Sequence, residues 1–225
     1  MWEIDRSRTP LSPTLVTGFL PFAGNTDNVS EKLLAMLKSE TNAGPTRAGL
    51  AVDVLTLPVE YGRSFQILRR KLYQKKYQGL LMLGQASGRR KISLEQVALN
   101  WADCELPDEA HRVQIEKKIL KTAPAAHINP LSVRTIYRKL RDQKFPVELS
   151  TSAGAYVCNE LYFRVLHAQS RLKIPWVLFV HLPQLADHSD PAEPVRLSQM
   201  RDCVKEILRL APRYLVGAFA TSTEH

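Results

Sequence analysis

Cys158 and His181 are the residues whose types and setting could do covalent chemistry. Cys158 follows a run of small residues, Ser150–Gly154, and opens an amphipathic stretch, Val157–Ser170, so it falls in the first turn of a predicted helix. Unpaired backbone N–H groups and the positive end of the helix dipole meet there, and both favour a thiolate over a thiol. The apolar run Pro175–Val180 ends in His181, a side chain able to take and return a proton near neutral pH. A thiol nucleophile with an imidazole base is the chemistry of a cysteine hydrolase. The small residues before Cys158 would also let backbone N–H groups approach a reacting carbonyl, as an oxyanion site requires, although a structural turn would use the same residues.

Cys158 and His181 must be brought together by the elements around them. Taking Val147–Leu149 as a strand, Val157–Ser170 as a helix and Pro175–His181 as the next strand gives a βαβ unit. The helix then retreats about 20 Å from its starting rim, and the strand recovers about 23 Å. His181 is thereby expected on the same rim of the sheet as Cys158.

Strand-like and helix-like stretches alternate along the rest of the chain. Strands are expected at Leu15–Gly18, Val52–Leu57, Gly79–Gly84 and Ile92–Asn100, and helices at Ser30–Lys38, Gly62–Lys75, Ser132–Arg141 and Leu197–Leu210. Gly79–Gly84 is wholly apolar, the pattern of a strand buried on both faces of a parallel sheet. Trp101–Val113 reads as an acidic, turn-rich segment broken at Pro107-Asp108, and Pro124–Pro130 and Pro183–Pro194 read as loops. The piece Tyr214–Phe219 could add an edge strand. The pattern implies an α/β fold, a three-layer α/β/α sandwich with a mostly parallel central sheet. In such folds ligands bind beyond the carboxyl ends of the strands.

Composition narrows the function classes. With 225 residues, 44% hydrophobic and 24% charged, the chain can bury one sizeable core. A single domain over residues 1–225 is therefore expected, with a polar N-terminal arm at 1–13 and a C-terminal tail at 213–225. No apolar run approaches the roughly 20 residues of a membrane span, and MWEIDRSRTPLSPT lacks the apolar core of a secretory signal. A cytoplasmic protein without a membrane partner is expected. The three cysteines, Cys104, Cys158 and Cys203, are far apart and show neither disulfide-framework nor zinc-ligand spacing, so no metal or other cofactor is implied. The net charge of +9 invites a nucleic-acid reading. The basic residues, however, interleave with apolar positions on predicted helices, as on a solvated helix face, and no nucleic-acid motif accompanies them.

From about Thr14 to Leu210 the residues resemble the pyroglutamyl peptidase I (pyrrolidone-carboxylate peptidase) family of cysteine peptidases. The family's opening loop is similar to Thr17–Gly24 followed by Asn28-Val29-Ser30, and its LPVEY block stands here as Leu57–Tyr61. Its GQAGGR and ERVAIN blocks resemble Gly84–Arg89 and Glu95–Asn100; its nucleophile and histidine blocks resemble Thr151–Asn159 and His181-Leu182-Pro183. The resemblance implies a triad of Cys158, His181 and Glu95, although on its own pattern Glu95 reads as a surface strand carboxylate. It implies Phe19, Phe22 and Tyr156 as walls of a pocket for the flat pyroglutamyl ring, with Gln85 as a hydrogen-bonding group beside it. The implied substrates are small peptides with an N-terminal pyroglutamyl residue. The same fold could instead serve a catalytically impaired member that only binds such peptides. Prokaryotic members of the family are often dimers or tetramers, so the resemblance allows a homo-oligomer, but nothing in the sequence fixes the state here. Tyr156 stands where the family has Phe, Ala155 where it has Thr, and Ala23 and Ser87 where it has glycine. An alanine or serine at the glycine positions is tolerable only if the backbone there does not need positive φ.

Overall fold

A computed structural model describes residues 13–42, 51–185 and 195–215. In chain order the elements are β1 (Thr14–Phe19), α1 (Val29–Asn42), β2 (Val52–Leu57), α2 (Arg63–Gln74), β3 (Gly79–Ala86), β4 (Ile92–Glu95), β5 (Val97–Leu99), β6 (Ala102–Cys104), β7 (Gln114–Lys117), β8 (Ala126–Ile128), α3 (Val133–Asp142), β9 (Val147–Ser150), α4 (Val157–Leu172), β10 (Val177–Pro183) and α5 (Leu197–Leu210). The arm before Pro13, most of the loop after Pro183 and the tail beyond Leu215 lie outside the described residues, so the edge strand expected at Tyr214–Phe219 is represented only by a bridge from Leu215 to Leu131. Among the described residues no helix is long and apolar enough to cross a membrane.

The central sheet has the order β2-β1-β3-β10-β4-β9. It is mostly parallel and covered on both faces, as the alternating pattern implied. Side chains alternate across a strand, and β10 shows what that produces. Leu178, Val180 and Leu182 join a core layer with α1, α3 and α5, built on Leu33, Leu37, Ile136, Leu140, Val204 and Ile207. Val177 and Phe179 join a second layer with α2 and α4, built on Leu68, Leu72, Leu161 and Val165. Each fully buried Leu, Val or Phe contributes about 1.5–3 kcal/mol by leaving water, so this alternation fixes which side every strand residue faces.

Two expectations need correction. First, β9, α4 and β10 do not form a βαβ unit: β4 lies between the two strands, runs antiparallel to β10, and is parallel to β9. The cause is the short link Ser87–Lys91 between β3 and β4, turned at Gly88 with φ 83°. A parallel crossover needs a dozen or more residues, so β4 must run back, and β9 follows it across the α3 connection. His181 still returns beside Cys158, because α4 descends from its N-terminus and the link after Leu172 leads straight into β10. Second, Ile92–Asn100 is two strands rather than one. After Glu95 the chain leaves the central sheet, and β5 pairs with β8, inside the segment read as a loop. The turn-rich segment Trp101–Val113 is the first arm and tip of a hairpin in which β6 pairs with β7.

Candidate active site

The site is built on sheet register. His181 is paired with Gly84 on β3 and with Ser93 on β4. Alternation along β10 turns His181 to the α4 side with Phe179, whose ring lies 4.8 Å from the imidazole. Glu95, two residues beyond Ser93, faces the same way, and its Oε1 is 2.8 Å from His181 Nδ1. Both residues are buried, Glu95 completely. The expectation of a surface carboxylate fails because β4 is an interior strand, flanked by β10 and β9. An ionised carboxylate can only accept, so Nδ1 carries the shared proton and Nε2 presents its lone pair.

Cys158 is the second residue of α4, and the buried Val157 before it anchors the helix start. Its Sγ lies 3.1 Å from the point that a Cβ on Gly84 would occupy. Because Gly84 is the register partner of His181, the thiol rests on the strand beside the imidazole and on the same face. Only glycine at this position admits both the sulfur and the Phe179 ring, which comes within 3.0 Å of the same point. The residue is partly buried. Burial pushes the thiol up to about 12, the Glu95 charge adds to the rise, and Arg89 opposes it. Burial thus works against the thiolate that the helix start favours. A thiol of this kind reacts only when a base takes its proton.

Of the two uses open to the run of small residues, the structure shows the turn. Ser152 N–H donates to Ser150 Oγ at 3.3 Å and Gly154 N–H to Ser152 Oγ at 3.2 Å, so the run folds on itself as a turn. The amides available to a developing oxyanion are those of the first turn of α4, Cys158 among them, which no helical carbonyl can reach. Tyr156 at the N-cap supplies no capping side chain.

Arg89 also belongs to the site, although the sequence offered it only as the end of the Gly84–Arg89 block. One guanidinium nitrogen lies 3.2 Å from Glu95 Oε1 and donates to the Ser152 carbonyl at 2.9 Å; another stands 3.5 Å from Glu148. Arg89 thus ties β4 and β9 to the turn before α4. Its place directly after the Gly88 turn, in a block matching a family motif, was the available signal. Glu95 Oε2 is buried without a hydrogen-bond partner among the described residues.

The expected pocket residues divide. Phe22 and Tyr156 are partly buried, with ring centroids 6.3 Å apart, and Tyr61 meets Tyr156 edge-on at 5.5 Å. Phe19, at the end of β1, is buried in the core layer that Phe22 and Tyr156 pack against, so it backs the wall. Gln85 is not brought to this face. It follows Gly84, points to the α1 side, and its Oε1 accepts from Val29 N–H at 2.9 Å, fixing the start of α1. The added hydroxyl of Tyr156 donates to the Pro107 carbonyl at 2.9 Å. Ala23 does sit at φ 53°, the strained case, whereas beside Ser87 the positive φ falls on Gly88. Asn159 staples α4 to the outer strands, accepting from Leu99 N–H and donating to the carbonyls of Leu99 and Trp101, each at 2.9 Å.

A thiol at a helix start, an imidazole and a buried carboxylate on one face of an α/β sheet are the equipment of a thiol-dependent hydrolase. Comparison with known proteins makes this specific. A family model described as pyroglutamyl peptidase matches residues 13–197. The pyrrolidone-carboxylate peptidase of Chromobacterium violaceum is 34% identical over 201 residues, covering 89% of this chain and 91% of its own. Among solved structures, pyrrolidone carboxyl peptidase from Fervidobacterium islandicum superposes with TM-score 0.80 at 29% identity, covering 90% of this chain and 99% of its own. Pyroglutamyl peptidase I from Bacillus amyloliquefaciens gives TM-score 0.80 at 25% identity, over 90% and 95% of the two chains. The chain belongs to the pyroglutamyl peptidase family of cysteine peptidases.

Proposed function

We propose that this protein hydrolyses the amide bond after an N-terminal pyroglutamyl residue of small peptides, with Cys158 as nucleophile, His181 as general base and acid, and Glu95 as the group that orients the imidazole. The observation that carries the reading is the buried His181–Glu95 pair at 2.8 Å, with the Cys158 thiol resting on Gly84, the strand neighbour of His181. His181 Nε2 takes the thiol proton as sulfur attacks the pyroglutamyl carbonyl, and the developing oxyanion meets the free amides at the start of α4. As the tetrahedral intermediate collapses, the imidazolium returns the proton to the leaving amine, leaving a thioester on Cys158. Water, deprotonated by His181, then cleaves the thioester and releases pyroglutamate. Glu95 stabilises the imidazolium in both halves, and Arg89 holds the carboxylate in place.

Phe22 and Tyr156, backed by Phe19, form the wall against the neutral lactam ring, which suits apolar contact with a few directed hydrogen bonds. Gln85 serves the loop of Phe22 indirectly, through Val29. We further propose that the protein acts as a single domain in the cytoplasm. An impaired peptide-binding member is not favoured, because the pair, the thiol and their support are all in place. The test is release of a chromophore from a pyroglutamyl-linked amide by wild type and by Cys158→Ala. Release by the wild type alone is expected; equal inactivity of both on varied pyroglutamyl amides would end the enzyme reading.

A further inference from the structure

The β6–β7 hairpin takes no part in these proton transfers, yet its tip is bonded to every loop that carries a pocket aromatic. Tyr156 donates its hydroxyl proton to Pro107 O at 2.9 Å. Glu109 Oε1 accepts from Ala23 N–H at 2.9 Å, next to Phe22, and Glu109 N–H donates to Val59 O at 3.0 Å. Asp108 Oδ2 accepts from Tyr61 N–H at 2.9 Å. The base of the hairpin is tied as well, since Asp103 N–H donates to Ala155 O at 3.0 Å.

Asp108 shapes the tip. Its carboxylate is buried and fully used: Oδ1 accepts from Ala110 N–H at 3.0 Å and Arg112 N–H at 2.8 Å, and Oδ2 accepts from Arg112 Nε at 3.0 Å and an Arg112 terminal nitrogen at 2.8 Å. Burial would raise its pKa, but the backbone bonds from Arg112 and Tyr61 and the Arg112 guanidinium outweigh that and hold the carboxyl below its ordinary value.

We propose that the hairpin tip Pro107–Glu109 roofs the pocket and sets its affinity for the pyroglutamyl ring, with Asp108 as the positioning residue that shapes the roof and Tyr156 and Glu109 as the locks that fasten it. This rests on the pyroglutamyl reading given above. The roof bonds to the walls and makes no hydrogen bond to Cys158, His181 or Glu95 among the described residues, so its effect falls on binding rather than on the chemical step. A fastened roof leaves the walls already ordered, and a ligand then loses less free energy in ordering them. Ala23 fits this account: its strained φ of 53° persists where Glu109 holds its N–H. The phenylalanine of the family block could not make the Tyr156 lock, because it has no hydroxyl.

Steady-state kinetics on a pyroglutamyl-linked chromogenic amide test the proposal, using the full chain. Tyr156→Phe keeps the ring and deletes one donor, and should raise KM about three- to tenfold with kcat within about twofold. Glu109→Ala should act in the same direction, and Asp108→Asn should exceed both. Amide hydrogen exchange gives a readout independent of turnover: Ala23 should exchange faster in Glu109→Ala, and Tyr61 faster in Asp108→Asn. Unchanged KM in all three variants, a fall in kcat at constant KM, or unaltered exchange at both amides would overturn the roof. In each of those cases the wild type still turns over. A wild type that releases nothing would instead count against the pyroglutamyl reading.

Discussion

The catalytic rim and the roof above it are held by different kinds of bond. On the rim, strand register positions the groups: Gly84, His181 and Ser93 are paired across three neighbouring strands, and Glu95 follows from the pleat. The roof is irregular backbone fastened by individual hydrogen bonds from Tyr156, Glu109 and Asp108. A register slip would turn every side chain of a strand to the wrong core layer, so the rim's geometry is secured by the whole hydrophobic core. The roof can be loosened one bond at a time. Changes on the rim should therefore cost turnover, and changes in the roof should cost affinity.

The largest effect is expected on the rim's buried carboxylate. Glu95→Gln keeps the shape but removes the charge that stabilises the imidazolium, and should lower kcat on the order of 10³- to 10⁴-fold with KM nearly constant. A kcat within a few-fold of wild type would remove Glu95 from the site. Gly84→Ala comes next. The new methyl would stand 3.1 Å from the Cys158 sulfur and 3.0 Å from the Phe179 ring, displacing the nucleophile and lowering kcat about 10²-fold. Normal kcat in a folded variant would show that the thiol does not need its seat on β3.

Thiol alkylation sharpens the comparison further. With His181 present, Cys158 should be labelled faster than Cys104 or Cys203 near neutral pH, and a pyroglutamate analogue should protect it. In His181→Ala the thiol loses its base. Because burial has pushed it up to about 12, its thiolate fraction stays small at neutrality and grows about tenfold with each pH unit up to that value. Labelling of Cys158 in that variant should fall below that of Cys104 and climb steadily with pH. A plateau near neutral pH would mean that the helix start alone makes the thiolate. The smallest effect belongs to the roof side. Ala23→Gly relieves a left-handed alanine worth about 1–2 kcal/mol but adds freedom to the unfolded chain, so urea unfolding should show a net gain of about 0.5 kcal/mol. A loss would mean that the loop is not strained.

These differences also explain what could be seen in the sequence. Cys158 and His181 were legible because helix and strand lengths have fixed rises, and the α4-to-β10 limb obeyed them even though β9 ran the wrong way for a βαβ unit. Glu95 was not legible from local pattern, since Ile92–Asn100 looks like one strand and only the short Ser87–Lys91 link makes β4 an interior, reversed partner. It was reached through family resemblance. Arg89 was hidden among basic residues whose neighbours are solvated, and Asp108 looked like a break in a turn-rich segment. A motif does not say which face a strand residue takes, and Gln85, one residue on from Gly84, turns toward α1.

The account turns on Cys158 attacking a pyroglutamyl carbonyl. The most direct measurement is single-turnover mass spectrometry of the intact chain mixed with a pyroglutamyl-linked amide and quenched in acid. A pyroglutamyl adduct on Cys158, absent from Cys158→Ala, is the predicted result. Rapid release of the amine with no adduct in the wild type, and equal release by Cys158→Ala, would contradict it.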